Sequence, residues 1–405
     1  MQTSLTQDLL RTAEGKEADG ILRTCVHCGF CLATCPTYRL LGNELDSPRG
    51  RIYLIKQVLE GRQPTASTRL HLDRCLTCRN CETTCPSGVR YGRLLDIGRH
   101  LVERKVQRSG FDRILRRLLR MVLPKRKLFA ALLRVGQMTR SLAPPALRHM
   151  IPRRQPTGTA PNREHARKVI LPQGCVQQGM APRTDAAAAR VLDHLGISAI
   201  RDRKDGCCGA VSYHLNAQEE ARQQARRNID AWWPHVQAGA EALLSTASGC
   251  GVMIKDYGEL LAEDPLYAQK AARIAEITRD VAEFLSAQDL TGLRPNSGQR
   301  KIAFHPPCTL QHGQRVRGAV EGILTDAGFE LTPVPDSHLC CGAAGTYSIL
   351  QRTLSERLLD EKLQALRCGE PSLIVTANIG CQHHLQGGTD LPVRHWIELL
   401  DPAGN

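Results

Sequence analysis

Two stretches of the chain carry short apolar runs separated by helical patterns, and the two read alike. In residues 299–405, IAF (302–304), FELTPV and SLIVTA are strand-like runs. Between the first two, RVRGAVEGILTDAG has helical spacing and ends at a glycine. In residues 166–285, VIL, ISAI and ALLST take the equivalent places. Strands alternating with helices predict two duplicated α/β units, each with a largely parallel sheet. Residues 1–105 differ: YLIKQVLEG has helical spacing, and a mostly helical domain is expected. Residues 106–165 connect the two regions. There Phe111, Ile114, Leu115, Leu118 and Val122 recur at helical intervals with Arg113, Arg116, Arg117 and Arg120 between them. This predicts a basic amphipathic helix, interrupted at Pro124 and resumed by KLFAALLRV, before a Pro-rich connector (Pro144, Pro145, Pro152, Pro156, Pro161). No run approaches the roughly 18 apolar residues that span a bilayer. MQTSLTQDLL has no basic region followed by an apolar core, so no signal peptide is expected. A cytoplasmic protein is the expectation, held peripherally against the inner face of the cytoplasmic membrane.

Cysteine changes this picture from fold to chemistry. The chain has 17, an odd number, mostly in tight clusters, which in a reducing compartment points to metal rather than disulfides. Two runs repeat one spacing: Cys25-x2-Cys28-x2-Cys31-x3-Cys35-Pro36 and Cys75-x2-Cys78-x2-Cys81-x3-Cys85-Pro86. Three cysteines at two-residue gaps wrap one loop around a cube of iron and sulfide. The fourth is displaced beyond the loop, and in two-cluster ferredoxins it ligates the other cluster. The expectation is therefore two [4Fe–4S] clusters, one on Cys25, Cys28, Cys31 and Cys85, the other on Cys75, Cys78, Cys81 and Cys35. Structural zinc, which draws C-x2-C pairs from separated loops, fits less well. Arg49 and Arg51, in SPRGRI, are placed to screen thiolate charge or to lie in a solvated turn.

The α/β units carry their own cysteines. The first has Cys175, Cys207-Cys208-Gly209-Ala210 and Cys250; the second has Cys308, Cys340-Cys341-Gly342-Ala343 and Cys381. Cys175, Cys207 and Cys208 each lie 133 residues before their counterparts, so the units are a duplication. Each cysteine site follows a predicted strand, at the end where open α/β sheets bind ligands. Four thiols per unit leave open a further cluster, zinc, a redox dithiol or buried packing cysteines. His305, His383 and His384 flank these sites and read better as hydrogen-bonded loop histidines than as ligands. Cys368 lies outside the repeat and reads as a packing residue.

The net charge of +14 has one source. Residues 101–170 hold 18 Lys or Arg and three acids, a net of +15, while the rest of the chain nets −1. With no aromatic platform beside it, this segment does not suggest nucleic-acid binding. It suits a membrane interface, with arginines among the headgroups and apolar residues below, an acidic partner, or a helix packed on the cluster domain with its charged face in solvent.

RTCVHCGFCLATCPTY, SPRGRIYLIK, DRCLTCRNCETTCPSG and the endings TASGC and TANIGC resemble the iron–sulfur subunits of glycolate oxidase. Two ferredoxin-type runs followed by two CCG units are shared with anaerobic glycerol-3-phosphate dehydrogenase C subunits, lactate-utilisation iron–sulfur proteins and parts of heterodisulfide reductase. The resemblance implies an electron carrier within an oxidoreductase complex. An FAD-containing partner subunit would oxidise glycolate or D-lactate, and electrons would pass to the membrane quinone pool. No G-x-G-x-x-G loop suggests a dinucleotide site on this chain. Heterodisulfide-type CCG units end in C-x-x-C; here Ala247 and Asn378 replace the first cysteine, which argues against a non-cubane cluster of that type.

Overall fold

Helices capped by hydroxyl side chains build the N-terminal cysteine region. Thr12 accepts from the Gly15 N–H at 3.0 Å to start Ala13–Thr24. Ser47 accepts from the Gly50 N–H, with Pro48 in the first turn, to start Pro48–Leu59. These helices pack with Ala66–Asp73 and Tyr91–Lys105 around Leu22, Ile55, Leu59, Leu72, Leu94 and Leu95. The close approach of two helices depends on Gly98, where a Cβ would lie 2.6 Å from Ile55 Cγ1. The predicted YLIKQVLEG helix is the one at Pro48–Leu59.

The computed structural model describes residues 1–142, 144, 151–293 and 300–403. It divides into two units, Met1–Arg117 with His338–Lys362, and Leu118–Ser337 with Leu363–Asn405. Among the described residues no helix is long and apolar enough to cross a membrane.

The second unit holds two parallel four-stranded sheets. The first contains β1 (Arg167–Ile170), β2 (Ile197–Ile200), β3 (Leu243–Ser245) and β4 (Thr278–Asp280), in the order β2-β1-β3-β4. The second contains β5 (Lys301–His305), β6 (Glu330–Leu331), β7 (Leu373–Thr376) and β8 (Val393–His395), in the order β6-β5-β7-β8. The register runs Arg167↔Ile197 to Ile170↔Ile200 in one sheet and Ile302↔Leu373 to His305↔Thr376 in the other. The duplication and its mostly helical N-terminal companion are thus both present. The two sheets share one core, in which Val169, Leu244 and Leu285 join Phe304, Val375 and Trp396. In each sheet the order of strand addition reverses between the first and third strands, all parallel, which opens a crevice at their C-terminal ends. The helix read across RVRGAVEGILTDAG is shorter than its pattern: it begins at Ala319, after Gly318 turns left-handed at φ 73°.

At the end of β4, Asp280 is buried and caps Val281–Leu285, accepting from the Ala282 N–H at 3.0 Å and from Gln314 Nε2 at 3.3 Å. Burial pushes its carboxyl up to about 7 from 3.8. The native state then holds a proton that the unfolded chain has released, so this group's contribution to stability falls as pH rises from about 4 to 7. The full effect is on the order of 4 kcal/mol. Asp280→Asn, which keeps an acceptor and removes the titration, should flatten that loss in denaturant melts across the same pH window. Parallel wild-type and variant curves would show that Asp280 does not titrate there.

Candidate metal centres

Each N-terminal cysteine run is a tight loop leading into a short helix, Phe30–Ala33 or Asn80–Thr84. Both loops hold two residues in the left-handed region at matching places: His27 and Gly29 at φ 58° and 86°, Thr77 and Arg79 at 55° and 57°. A left-handed residue other than glycine costs about 1–3 kcal/mol, and such strain persists where a site requires it. In these loops it accompanies a tight turn whose three thiols lie close enough to act on one another. Cys35 then caps Pro36–Leu41 with Pro36 in its first turn, so the first run places its fourth cysteine on the following helix. Cys85 instead ends Asn80–Thr84, ahead of a turn.

The thiols interleave between runs. Burial raises the Cys25 thiol, and negative charge on Cys85 and Cys28 raises it further. Cys31 is pushed up to about 11, by burial and then by Cys25. Cys81 is raised by burial, then by Cys78, Cys75 and Cys35. Cys85 therefore neighbours the first run's thiols, and Cys35 neighbours Cys81 of the second run as well as Cys31 of its own. A recess lined by Cys25, Cys28, Cys31 and Cys85, with Cys81 also at its wall, opens on the first group. Mutually repelling thiols at a shared recess suit a metal cluster that binds them all as thiolates.

The surroundings supply positive charge and donors. Arg51 is not in a solvated turn: it lies in the Pro48–Leu59 helix and is 1% exposed. Its Nε donates to the His71 carbonyl at 2.7 Å, its Nη2 donates to Thr37 Oγ1 at 3.0 Å, and its Nη1 lies 4.0 Å from Cys35 Sγ. Burial alone would weaken its hold on the proton, but charge on Cys75, Tyr91, Cys35 and Asp46 more than restores it. Asp46, fully buried, binds His71 Nδ1 and Arg74 Nη1, each at 3.0 Å. Thr37 Oγ1 lies 3.3 Å from Cys35 Sγ, and the Tyr91 hydroxyl donates to Cys75 Sγ at 3.5 Å. Arg99 Nη2 donates to the Cys75 carbonyl at 2.7 Å. Arg49 pairs with Glu44 at 2.8 Å and is half-buried.

In the first α/β unit, Cys175 follows β1, Cys207 and Cys208 follow β2, and Cys250 lies in the helix after β3. All four come together at the crevice. Cys207 is drawn well below the usual thiol value by hydrogen bonds from Cys175 and Cys208, with help from the Gly209 N–H and Arg227. Cys175 and Cys208 are raised in turn, first through their bonds to Cys207. Cys250 bonds to Cys208. Asn228 Nδ2 and the Tyr257 hydroxyl hold the Cys207 and Cys208 carbonyls at 2.9 and 2.8 Å. Four linked thiols, one of them disposed to ionise, have the donor chemistry of a cluster or zinc.

The second copy is divided. Cys308 and Cys381 belong to the second unit; Cys340 and Cys341 belong to the first. Gly342 sits at φ 91°, and a Cβ there would lie 2.6 Å from the Ser355 carbonyl oxygen, which explains the glycine of CCG. The segment His338–Lys362 packs on the second cysteine run. Asn80 Nδ2 donates to the His338 carbonyl at 3.2 Å, and the Tyr347 hydroxyl donates to the Arg74 carbonyl at 3.1 Å. Burial raises the Tyr347 phenol, as do charges on Cys75 and Cys340, so this ring faces a thiol of each group. Asn378, standing where the C-x-x-C pattern has cysteine, points its Nδ2 at Cys381 Sγ, 3.7 Å away. His305 is no loop histidine: it closes β5 and is buried. His383 and His384 are half-buried on the helix Ile379–Gly387. Cys368 is exposed just past the helix Arg352–Arg367, so it does not pack in a core.

Thr37, Asp46, His71, Tyr91, Arg99 and Tyr347 were not legible as site residues, since none carries a spacing signal. Comparison with known proteins agrees with the geometry. Residues 21–89 match a 4Fe-4S dicluster domain, and residues 169–255 and 302–386 each match a cysteine-rich domain. The chain is similar to lactate utilization protein A of Bacillus pumilus, at 27% identity over 242 residues, covering 58% of this chain and 99% of that one. It is 29% identical over 402 residues to a probable glycolate oxidase iron–sulfur subunit of Bacillus subtilis, covering 92% and 90%. It is 56% identical over 404 residues to the glycolate oxidase iron–sulfur subunit of Escherichia coli, covering 100% of this chain and 99% of that one. With its cluster loops, its duplicated sheets and this identity along its whole length, the chain belongs to the family of glycolate oxidase iron–sulfur subunits.

Proposed function

We propose that this chain is the electron-carrying subunit of a complex that oxidises glycolate to glyoxylate. A flavin-bearing partner would take electrons from the substrate, and membrane quinone would receive them. The observation that carries the reading is the interleaving of eight thiols from two matching strained loops, beside buried Arg51. Each [4Fe–4S] cluster, when bound, takes up and releases one electron. Cys25, Cys28, Cys31 and Cys85 would hold one, and Cys75, Cys78, Cys81 and Cys35 the other. The protein's part is to keep water away and to hold Arg51, Thr37 and Tyr91 where added negative charge is offset by fixed donors. Tyr347, facing Cys75 and Cys340, supports a path from the second cluster toward the Cys340–Cys341 pair. The Cys175, Cys207, Cys208 and Cys250 site would take a further cluster or zinc.

D-lactate or glycerol-3-phosphate as substrate is the competing reading, because substrate choice belongs to the partner. Co-purification from cells grown on glycolate should recover a flavoprotein that reduces this chain with glycolate. Recovery with a lactate- or glycerol-3-phosphate-specific partner would overturn the assignment. Anaerobically purified protein should contain about 8 iron and 8 sulfide per chain from the N-terminal clusters alone. Iron clearly above that, or added zinc, is expected from the cysteine-rich sites. A value at the two-cluster level without zinc would remove metal from them.

A further inference from the structure

The connecting segment turns its apolar residues outward. The helices Gly110–Val122 and Arg126–Met138 contain no buried residue. On the first, Phe111, Ile114, Leu118 and Met121 share one arc and are exposed, Phe111 to 78%. On the second, Leu128, Leu132, Val135 and Met138 do the same, Met138 to 81%. Several arginines turn toward the protein. Arg116 binds Asp112 and Asp73, Arg120 binds Glu220, and Arg126 binds Asp205. Beside the outward apolar arcs lie Arg117, Lys127 and Arg134, all exposed. Residues 113–163 hold 13 Lys or Arg and neither Asp nor Glu.

An exposed apolar arc edged only by cations is complementary to a surface that is anionic outside and apolar just beneath. We propose that the helix Arg126–Met138, with the end of the helix before it, docks on an anionic phospholipid bilayer. Leu128, Leu132, Val135 and Met138 sink into the acyl boundary, and Lys127 and Arg134 lie among the phosphates.

The inner face of this helix is fastened to the first cysteine site. Arg126 holds Asp205 at 3.3 Å and the Arg203 carbonyl at 3.0 Å, on the loop that leads to Cys207. Phe129 and Leu133 lie over Gly179 in the short helix after Cys175, where a Cβ would come within 3.1 Å of Leu133 Cδ2. Docking therefore carries the Cys175–Cys250 site to the lipid boundary. Its purpose rests on the electron-transfer reading, since an acceptor dissolved in the bilayer would then be met at that site.

The test is flotation of the full chain, purified anaerobically with its clusters, with phosphatidylcholine vesicles with or without phosphatidylglycerol. Wild type should float with the anionic vesicles and release at high salt. L132S together with M138S should weaken binding about tenfold or more. K127Q and R134Q should each weaken it roughly fivefold on anionic vesicles and leave neutral vesicles unchanged. All four residues are exposed, so iron content should be unchanged, and a preparation that keeps its iron is a fair comparison. Absence of wild-type flotation, or flotation unchanged in the variants, overturns the proposal. So does a double variant that still floats but no longer co-purifies with its flavoprotein partner, because the face would then be a protein interface. Failure of the electron-transfer reading would look different: vesicle binding intact, with no reduction of the chain by glycolate.

Discussion

Replacing Arg51 with methionine should remove one N-terminal cluster, cutting the iron held there from about eight to about four per chain. The same change should lower unfolding stability by about 3–5 kcal/mol. Methionine fills much of the arginine's volume, so the loss is one of charge and hydrogen bonds. Asp46, at 0% exposure, would keep His71 and Arg74 but lose the cation 3.5 Å from its Oδ1. The His71 carbonyl and Thr37 hydroxyl would lose their donor, and Cys35 would lose the nearest positive charge. A buried charge stripped of one partner costs more than the pair was worth. Arg51→Lys should fall between, since it keeps the charge but cannot reach the His71 carbonyl and Thr37 with a planar fork. Iron and sulfide analysis, magnetic-resonance spectra and thermal melts would measure these effects. Full iron with wild-type spectra in Arg51→Met would show that Arg51 is only a packing residue.

Spacing made the metal chemistry readable, because a cluster loop constrains sequence separation directly: three thiols must meet within a few residues. The duplication was readable for the same reason, as a constant offset between cysteines. The central strands were also legible, since β3, β5, β7 and the second half of β1 are short, mostly apolar and buried. The edge strands β4 and β8 were not. Each is three residues long with a polar or charged member, TRD and VRH, too short for any period to show. The site's supporting shell was hidden for a deeper reason. Arg51 reaches Cys35 across a fold-back of the chain, and Tyr347 approaches Cys75 from far along the sequence, so neither leaves a local pattern. Which arginines of the basic helices turn inward could not be read from the period. An amphipathic period states that two faces differ, and only the acids at Asp73, Asp205 and Glu220 decide which one turns inward.

Cys28→Ser and Cys35→Ser, seven positions apart in the same run, should abolish different clusters. Sequence proximity would have them damage the same one. The thiol neighbours favour the crossed arrangement: Cys28 acts on Cys25, together with Cys85, whereas Cys35, besides acting on Cys31, acts on Cys81 with Cys75 and Cys78. The backbone provides the reason. Cys28 lies inside the strained loop, between left-handed His27 and Gly29, and faces its own recess. Cys35 lies beyond the short helix Phe30–Ala33, at the cap of the next helix, where Thr37 and Arg51 meet it. A serine oxygen is a poorer, harder ligand for iron than a thiolate, so each substitution should lose its cluster or shift that cluster's spectrum strongly. The cluster of Cys25, Cys31 and Cys85 should survive Cys35→Ser, and that of Cys75, Cys78 and Cys81 should survive Cys28→Ser. Cys85→Ser should reproduce the Cys28→Ser spectrum although it lies in the other run. Magnetic resonance on the dithionite-reduced proteins distinguishes the outcomes, because two reduced clusters in one small domain couple and a lone cluster does not. If Cys28→Ser and Cys35→Ser leave the same surviving signal, each run holds its own cluster and the crossed arrangement is wrong.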